Sequence, residues 1–284
     1  MKRHTREGGL RTSVAPAILV LAMAAMSAAV AQQKTTVVLG TATQGGGFQI
    51  YGAAYSAALN EADATLAVEQ RSTKGSTENA PLLAEGKIDI GLATGEVTHE
   101  ALAGIGRPPA NLKIINAMYP NSGMFMVRGD SPYHLASAGD GPKMVLEGRA
   151  AAQWGGGVGW PGFTAISNGP SGARFITPDA EGMKRILAKY PFIKPITLPA
   201  GSYRGQDAPV AALGSWSLVL ARPGLPDETA YKLARALHKA EGALGAKLAQ
   251  ARESTLANTL AAAPRQDLIH PGVLRYMREA GILK

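Results

Sequence analysis

Three consecutive glycines, Gly45, Gly46 and Gly47, stand between a β-branched stretch and a helical pattern. Thr35 to Leu39 has strand character. Gly40 to Gly47 reads as a loop, and Phe48 to Asn60 places Ile50, Tyr51, Ala54, Tyr55, Ala58 and Leu59 on one side of a helix. A loop that feeds the chain into a helix N-terminus leaves backbone N–H groups without internal acceptors. Together with the helix dipole, those groups attract an anion. The implied chemistry is therefore capture rather than catalysis. The loop does not fit nucleotide hydrolysis: Gly40 and Gly45 have the phosphate-loop spacing, but Gly46 occupies the position of the required lysine.

Around this loop lie further candidates. Thr43 and Gln44 bring polar side chains to its tip, as helix caps or as ligand contacts. Phe48 opens the helix. Tyr51, one turn inside, is either core or a hydroxyl reaching the crevice. Ser76 and Asn79 open a second helical pattern, Ser76 as N-cap and possible anion contact. Lys74 precedes them as a solvated cation or a carboxylate partner. Thr94 and Glu96 begin a third helix, where Glu96 complements the dipole or holds a ligand ammonium. Tyr119 and Asn121 follow a fourth strand. Trp160 and Tyr203 are aromatic lids from the other half of the chain.

The elements that position these residues alternate. Ala67 to Gln70, Ile88 to Ala93, Ile114 to Met118 and Met124 to Val127 read as strands; Ser76 to Glu85 and Thr94 to Leu102 read as helices. Such alternation implies an α/β domain with a mainly parallel sheet, whose ligand lies beyond the carboxyl ends of the strands. The loops Gly40–Gly47, Thr73–Asn79, Thr94–Glu96 and Tyr119–Ser122 should then meet at one crevice. Further along, Met144 to Gly148 and Lys184 to Lys189 read as short helices, Tyr190 to Gly205 as Pro/Gly-rich chain, and Ala211 to Ala221 as a strand. Asp227 to Ala249 and Pro271 to Ala280 read as helices, with Pro271 suited to a first turn.

Composition narrows the function classes. Lys2, Arg3, Arg6 and Arg11 precede the apolar run Val14 to Met26, and Ala29-Val30-Ala31 has the small-x-small pattern of an export signal cleaved after Ala31. The run is too short to span a bilayer comfortably. Without residues 1–31, four of the 29 basic and one of the 21 acidic residues are lost, which leaves a charge of +5. That charge is dispersed, which suits arrival of an anion and makes no nucleic-acid stripe. The chain has no cysteine, so disulfides, thiolate metal sites and cysteine nucleophiles are excluded. His4, His99, His134, His238 and His270 have no metal spacing. Gly157-x-Gly159-x-x-Gly162 matches a dinucleotide pattern by letter but is interrupted by Pro161, and no Gly-x-Ser-x-Gly elbow occurs. No cofactor or metal is expected.

Seven segments in order carry a resemblance. They are Leu39-Gly40-Thr41 to Gly45-Gly46-Gly47-Phe48, Ser72 to Asn79, Leu82 to Gly91, Tyr119-Pro120, Tyr190-Pro191-Phe192, Pro199 to Gln206, and His270 to Tyr276. In this order the chain resembles the TAXI family, the extracytoplasmic solute receptors of TRAP transporters. The resemblance implies a two-lobed periplasmic binding-protein-like (type II) α/β fold and capture of a small organic acid, a glutamate-like amino acid or dicarboxylate. It further implies a periplasmic monomer that transiently meets TRAP membrane subunits. The implied division is a signal peptide at 1–31, lobe 1 at 32–127, lobe 2 at 128–212, and a return to lobe 1 at 213–284. One departure stands out: a βαβ-sized unit that family members carry after the Arg128 strand is missing, and only Ser131 to Pro142 stands in its place. The second lobe is therefore expected to be incomplete. The rival readings are a ligand-sensing or partner-binding paralogue, a non-functional remnant and a periplasmic hydrolase. The last requires a convergent nucleophile and base that the sequence does not display.

Overall fold

The structure, a computed structural model, describes residues 34–129, 141–155, 158–190 and 192–284. The signal segment with its cleavage after Ala31, most of Ser131 to Pro142, and Gly156, Gly157 and Pro191 lie outside the described residues. Strand β1 (Thr35–Gly40) leads through the glycine loop into α1 (Gly47–Ala62), then β2 (Leu66–Arg71), α2 (Ser76–Ala84), β3 (Ile90–Ala93) and α3 (Gly95–Ala103). A long strand β4 (Lys113–Arg128) is followed by α4 (Gly141–Leu146), β5 (Ala152–Gly155), α5 (Pro161–Ser167), β6 (Ala173–Ile176), α6 (Ala180–Lys189) and β7 (Lys194–Leu198). The chain returns through β8 (Val210–Ala221) to α7 (Asp227–Lys247), α8 (Leu256–Ala262) and α9 (Pro271–Glu279).

The sheet order is β2-β1-β3-β8-β4-β5, with β6 also on β4 and β7 also on β8. Among the described strands the β1–β2 and β1–β3 pairs are parallel, whereas β8 runs antiparallel to β3, β4 and β7. The mainly parallel sheet expected from the alternation is thus a mixed one. The reason is topological: β8 re-enters the first lobe from the second and inserts between β3 and β4 with reversed direction.

Two cores lie along these strands. The larger packs Leu39, Ile90, Leu92 and Val219 against α1 and α7, which contribute Tyr55, Leu59, Leu233 and Leu237. The smaller gathers Met124, Met126, Val145, Phe163, Ile166 and Leu198. Strands β4 and β8 belong to both. Lys113–Gly123 of β4 pairs with β8, whereas Met124–Arg128 pairs with β5 and β6. The segment Tyr119–Gly123, expected to break the strand, stays extended. At Pro120, opposite Trp216, β4 has β8 on one side only, and register shifts just before it absorb the irregularity. Lys194–Leu198, expected as irregular chain, is a strand because it pairs with Val210–Gly214. Ser76 is the first helical residue of α2 rather than its cap, which is Gly75.

One junction carries a pH dependence. Asp63, just past α1, accepts from the Thr65 N–H and hydroxyl at 3.0 and 2.7 Å and from Arg235 of α7 at 2.6 Å. Burial favours its neutral acid. The Thr65 and Arg235 contacts outweigh burial and hold the carboxyl at about 2, against an ordinary value of 3.8. The lowered value means that the stabilisation is complete above the unfolded value and is lost as pH falls through about 2. Arg235→Gln is expected to remove roughly 1–2 kcal/mol at neutral pH and to flatten this acid limb. Urea unfolding of both proteins between pH 5 and pH 2 checks it; parallel curves would refute it.

Candidate functional site

In the first lobe the site is built on one buried amide. Gly40 and Gly91 sit side by side in β1 and β3, and α2 approaches closely over them. A methyl group on Gly40 would lie 2.6 Å from the Asn79 side-chain oxygen and 2.5 Å from Ile88. Into this space Asn79, fully buried, donates its amide to the carbonyls of Gly40, Thr41 and Leu92 at 3.2, 2.9 and 2.8 Å. Its role is therefore to tie the end of β1 and the loop after it to β3, and its side chain is buried rather than open to a crevice.

The loops at those strand ends are joined further. Thr41 donates its N–H to the Arg71 carbonyl at 3.0 Å, and the Thr73 hydroxyl donates to the Thr41 carbonyl at 3.0 Å. Ser76 Oγ accepts the N–H of Thr94 at 3.0 Å, which links the starts of α2 and α3. Thr94 caps α3, and Glu96 in its first turn accepts from Ser215 Oγ of β8 at 2.8 Å. Lys74 is exposed, and its N–H donates to Glu78 at 2.5 Å. A Cβ on Gly75 would come within 3.9 Å of Ala42, so the first two loops touch. Gly75 has φ 91° and ψ −155°, a conformation that glycine alone adopts readily.

The helix starts supply donors. Thr43 O accepts from Gly46 N–H to close the turn, with Gly45 at φ 79° and Thr43, Gln44 and Gly45 exposed. Among the described residues, the N–H groups of Gly47 and Phe48 at α1 and of Ser76 and Thr77 at α2 have no acceptor.

The second lobe brings an indole to this loop. A Cβ on Gly47 would stand 2.8 Å from Trp160 Nε1. The same ring lies against Gly155 and Gly162 of its own lobe and meets Phe163 edge-on at 4.9 Å. The glycines at 155 and 162 thus seat an indole. Tyr203 anchors this residue: its hydroxyl accepts the backbone N–H of Trp160 at 2.8 Å, and its ring packs on Phe163 and Phe175. Tyr203 is buried, and burial pushes its hydroxyl well above the ordinary value. It supports the lid candidate rather than forming one.

Tyr51 takes the core alternative of its two readings, and Tyr119 lies in the same core. Tyr51 is fully buried and donates to Ser254 Oγ at 3.0 Å, while stacking on Tyr55 at 5.6 Å. Tyr119 is buried against the edge of Tyr51. Desolvation raises the hydroxyls of both. They form the floor of the first lobe, whereas Phe48 is partly buried at its margin. Trp154 was overlooked. It is 53% exposed on β5, and its ring lies over Gly123, where β4 passes between the two cores. A lone tryptophan two residues before Gly156 was the available signal. Among the described residues no three His, Asp or Glu side chains are grouped to hold a metal ion. None of the helices described is long and apolar enough to cross a membrane.

The described geometry has counterparts. The fold is similar to that of MatC from Rhodopseudomonas palustris with bound malate, at 12% identity and a TM-score of 0.51 over 86% of this chain and 98% of that one. It is equally similar to the periplasmic binding protein BugD, at 15% identity and a TM-score of 0.51 over 89% and 99%. These likenesses show a two-lobed binding-protein fold. At the level of sequence, residues 39–141 and 132–281 match the model of the NMT1-like family. With nearly all of the described residues inside that match, the chain belongs to the NMT1-like family.

Proposed function

We propose that this protein is a TAXI-type extracytoplasmic solute receptor. It captures a small carboxylate, a glutamate-like amino acid or a dicarboxylate, between its two lobes in the periplasm and passes it to TRAP-type membrane subunits. In this reading residues 1–31 are removed on export, and the shortened second lobe closes as a monomer onto the first. The observation that carries the proposal is the convergence of donors from both lobes. The N–H groups of Gly47 and Phe48 open a helix of 16 residues, and Trp160 Nε1 lies at the same glycine. Helix N–H groups without acceptors and an indole nitrogen beside the same glycine favour a carboxylate on charge and on hydrogen bonding. Ser76, Thr94 and Glu96 border that space, and Glu96 suits the ammonium of an amino acid. Lys74, Thr43 and Gln44 line its rim, and Trp154 covers hydrocarbon. That MatC carries malate supports the acid class.

A thermal-shift series with malate, succinate, glutamate and neutral analogues tests the reading. At a hundredfold excess over Kd, a true ligand is expected to raise Tm by about 5–10 °C for a chain of this size. The corresponding neutral diols and amides should leave Tm unchanged. A folded protein that responds to none of the acids would end the proposal.

A further inference from the structure

The segment His270-Pro271-Gly272 opens α9 and takes no part in the donor site. Each of its residues docks the helix. The His270 backbone N–H donates to the Ile114 carbonyl of β4 at 2.9 Å. Pro271 takes the first helical position, where its missing N–H would have had no intrahelical acceptor. A methyl group on Gly272 would collide with the Asp227 carbonyl oxygen, so glycine lets α9 begin directly against the start of α7. The His270 imidazole is buried and caps the helix. Its Nε2 lies 3.0 Å from the Leu225 carbonyl oxygen, which can only accept, so Nε2 carries the hydrogen. Its Nδ1 accepts the Gly272 N–H at 3.2 Å and must therefore be bare. One neutral tautomer alone satisfies both contacts.

A second proton would go to Nδ1, which would then face a donor with a donor. The cap is lost in that state. Two charged groups act on the ring from the elements packed against it. Asp227 of α7 has Oδ1 3.6 Å from Nδ1 and favours the imidazolium, whereas Lys113 of β4 opposes it. Lys113 also donates to the Asp267 carbonyl at 2.9 Å, and the Asp267 carboxylate is held by Arg265. Arg275, on α9 itself, is held by Glu228 at 2.7 Å. Burial is the largest influence and keeps the imidazole below its ordinary value of 6.5. We propose that His270 is an acid-sensitive latch: protonation of Nδ1 uncaps α9 and releases this C-terminal helix from α7 and β4 while the central sheet stays folded. Release withdraws Val273 and Met277 from the larger core and parts Tyr276 from Tyr231, which it meets edge-on at 5.3 Å. The sign follows from linkage. The open segment, with its imidazole in water, binds the proton more readily than the closed one. Opening is therefore constant well above pH 6.5 and grows as pH falls through that value. The latch does not depend on which ligand the lobes capture.

Hydrogen exchange of the whole protein, read by mass spectrometry on peptides from α9 and corrected for the intrinsic pH dependence, tests the latch. From pH 7.5 to pH 5.0, α9 is expected to open at least about fivefold more often, while peptides from β1 and β3 keep their protection. His270→Asn retains a side-chain oxygen for the Gly272 N–H and has nothing to titrate in this range. Its α9 exchange is expected to stay within about twofold over the same interval. Asp227→Asn is expected to steepen the response, because it removes the carboxylate that favours the imidazolium in the closed form. The Asp227 side chain is 61% exposed, so this variant is expected to fold and keeps the test decisive if His270→Asn does not. Circular dichroism at pH 7.5 checks both. Exchange of α9 that ignores pH, an equal response in His270→Asn, a shallower one in Asp227→Asn, or loss of protection in β1 and β3 together with α9 would each overturn the proposal.

Discussion

Asn79→Asp is expected to destabilise the protein by more than about 3 kcal/mol at neutral pH and to lower Tm by roughly 10 °C. The amide nitrogen now donates to three carbonyls between 2.8 and 3.2 Å away. A carboxylate there presents an oxygen to all three, in a fully buried position without a cation beside it. Below pH 4 the variant should recover part of the loss, because a protonated acid donates to one of the three acceptors. Asn79→Leu is expected to be milder, at about 2 kcal/mol. It leaves those carbonyls without this donor, but it also removes an amide oxygen that has no hydrogen-bond partner. Chemical unfolding of the two variants across pH decides the matter. If Asp and Leu were equally tolerated, the carbonyl tie would not be what holds the ends of β1 and β3 together.

The second large effect falls on binding. Gly47→Val is expected to reduce affinity for the captured acid at least a hundredfold, with less than about 1 kcal/mol lost in stability. The first position of a helix accepts valine at little cost. Its Cβ, however, would stand 2.8 Å from Trp160 Nε1, so the indole must withdraw and the donors of the two lobes separate. Trp160→Phe makes the complementary change. It keeps an aromatic ring between Gly155 and Gly162 but deletes the N–H, and about tenfold weaker binding is expected from one lost charge-assisted hydrogen bond. Gly45→Ala is a control: space is open there, and the penalty is the backbone strain of φ 79° alone. Calorimetric titration with the acid found by thermal shift measures all three. Wild-type affinity in Gly47→Val would show that the indole and the α1 N-terminus act on different ligands, or on none.

The local chemistry of the glycine loop was legible because it depends on neighbours in sequence. Gly45 turns the chain, Gly46 caps α1, and the helical pattern from Phe48 follows directly. The helical spacing also marked Tyr51 and Tyr55 as one face, but it held no information about where that face points. Their partners, Ser254 and Asn116, lie 203 and 61 residues away, so neither hydroxyl's fate was readable locally. Asn79 looked like a first-turn polar residue. Its three acceptors belong to β1, the loop after it, and β3, which meet only in the assembled sheet. Trp160 drew attention in the sequence as an aromatic in a glycine-rich stretch. That two of those glycines make room for its own ring, and Gly47 for its edge, is a matter of packing between lobes.

By itself the amino-acid order determined the α/β class, the placement of most helices and strands, the lack of thiol chemistry, and the loop that exposes amide donors. These follow from periodicity, turn residues and composition, which act over a few residues. Tertiary structure alone decided that β8 runs against its neighbours and makes the sheet mixed. It also decided that Pro120 stays within a strand and that Tyr51, Tyr119 and Tyr203 are support rather than surface. Each of these depends on which distant segment occupies the adjoining volume, and close packing, not local preference, sets that outcome.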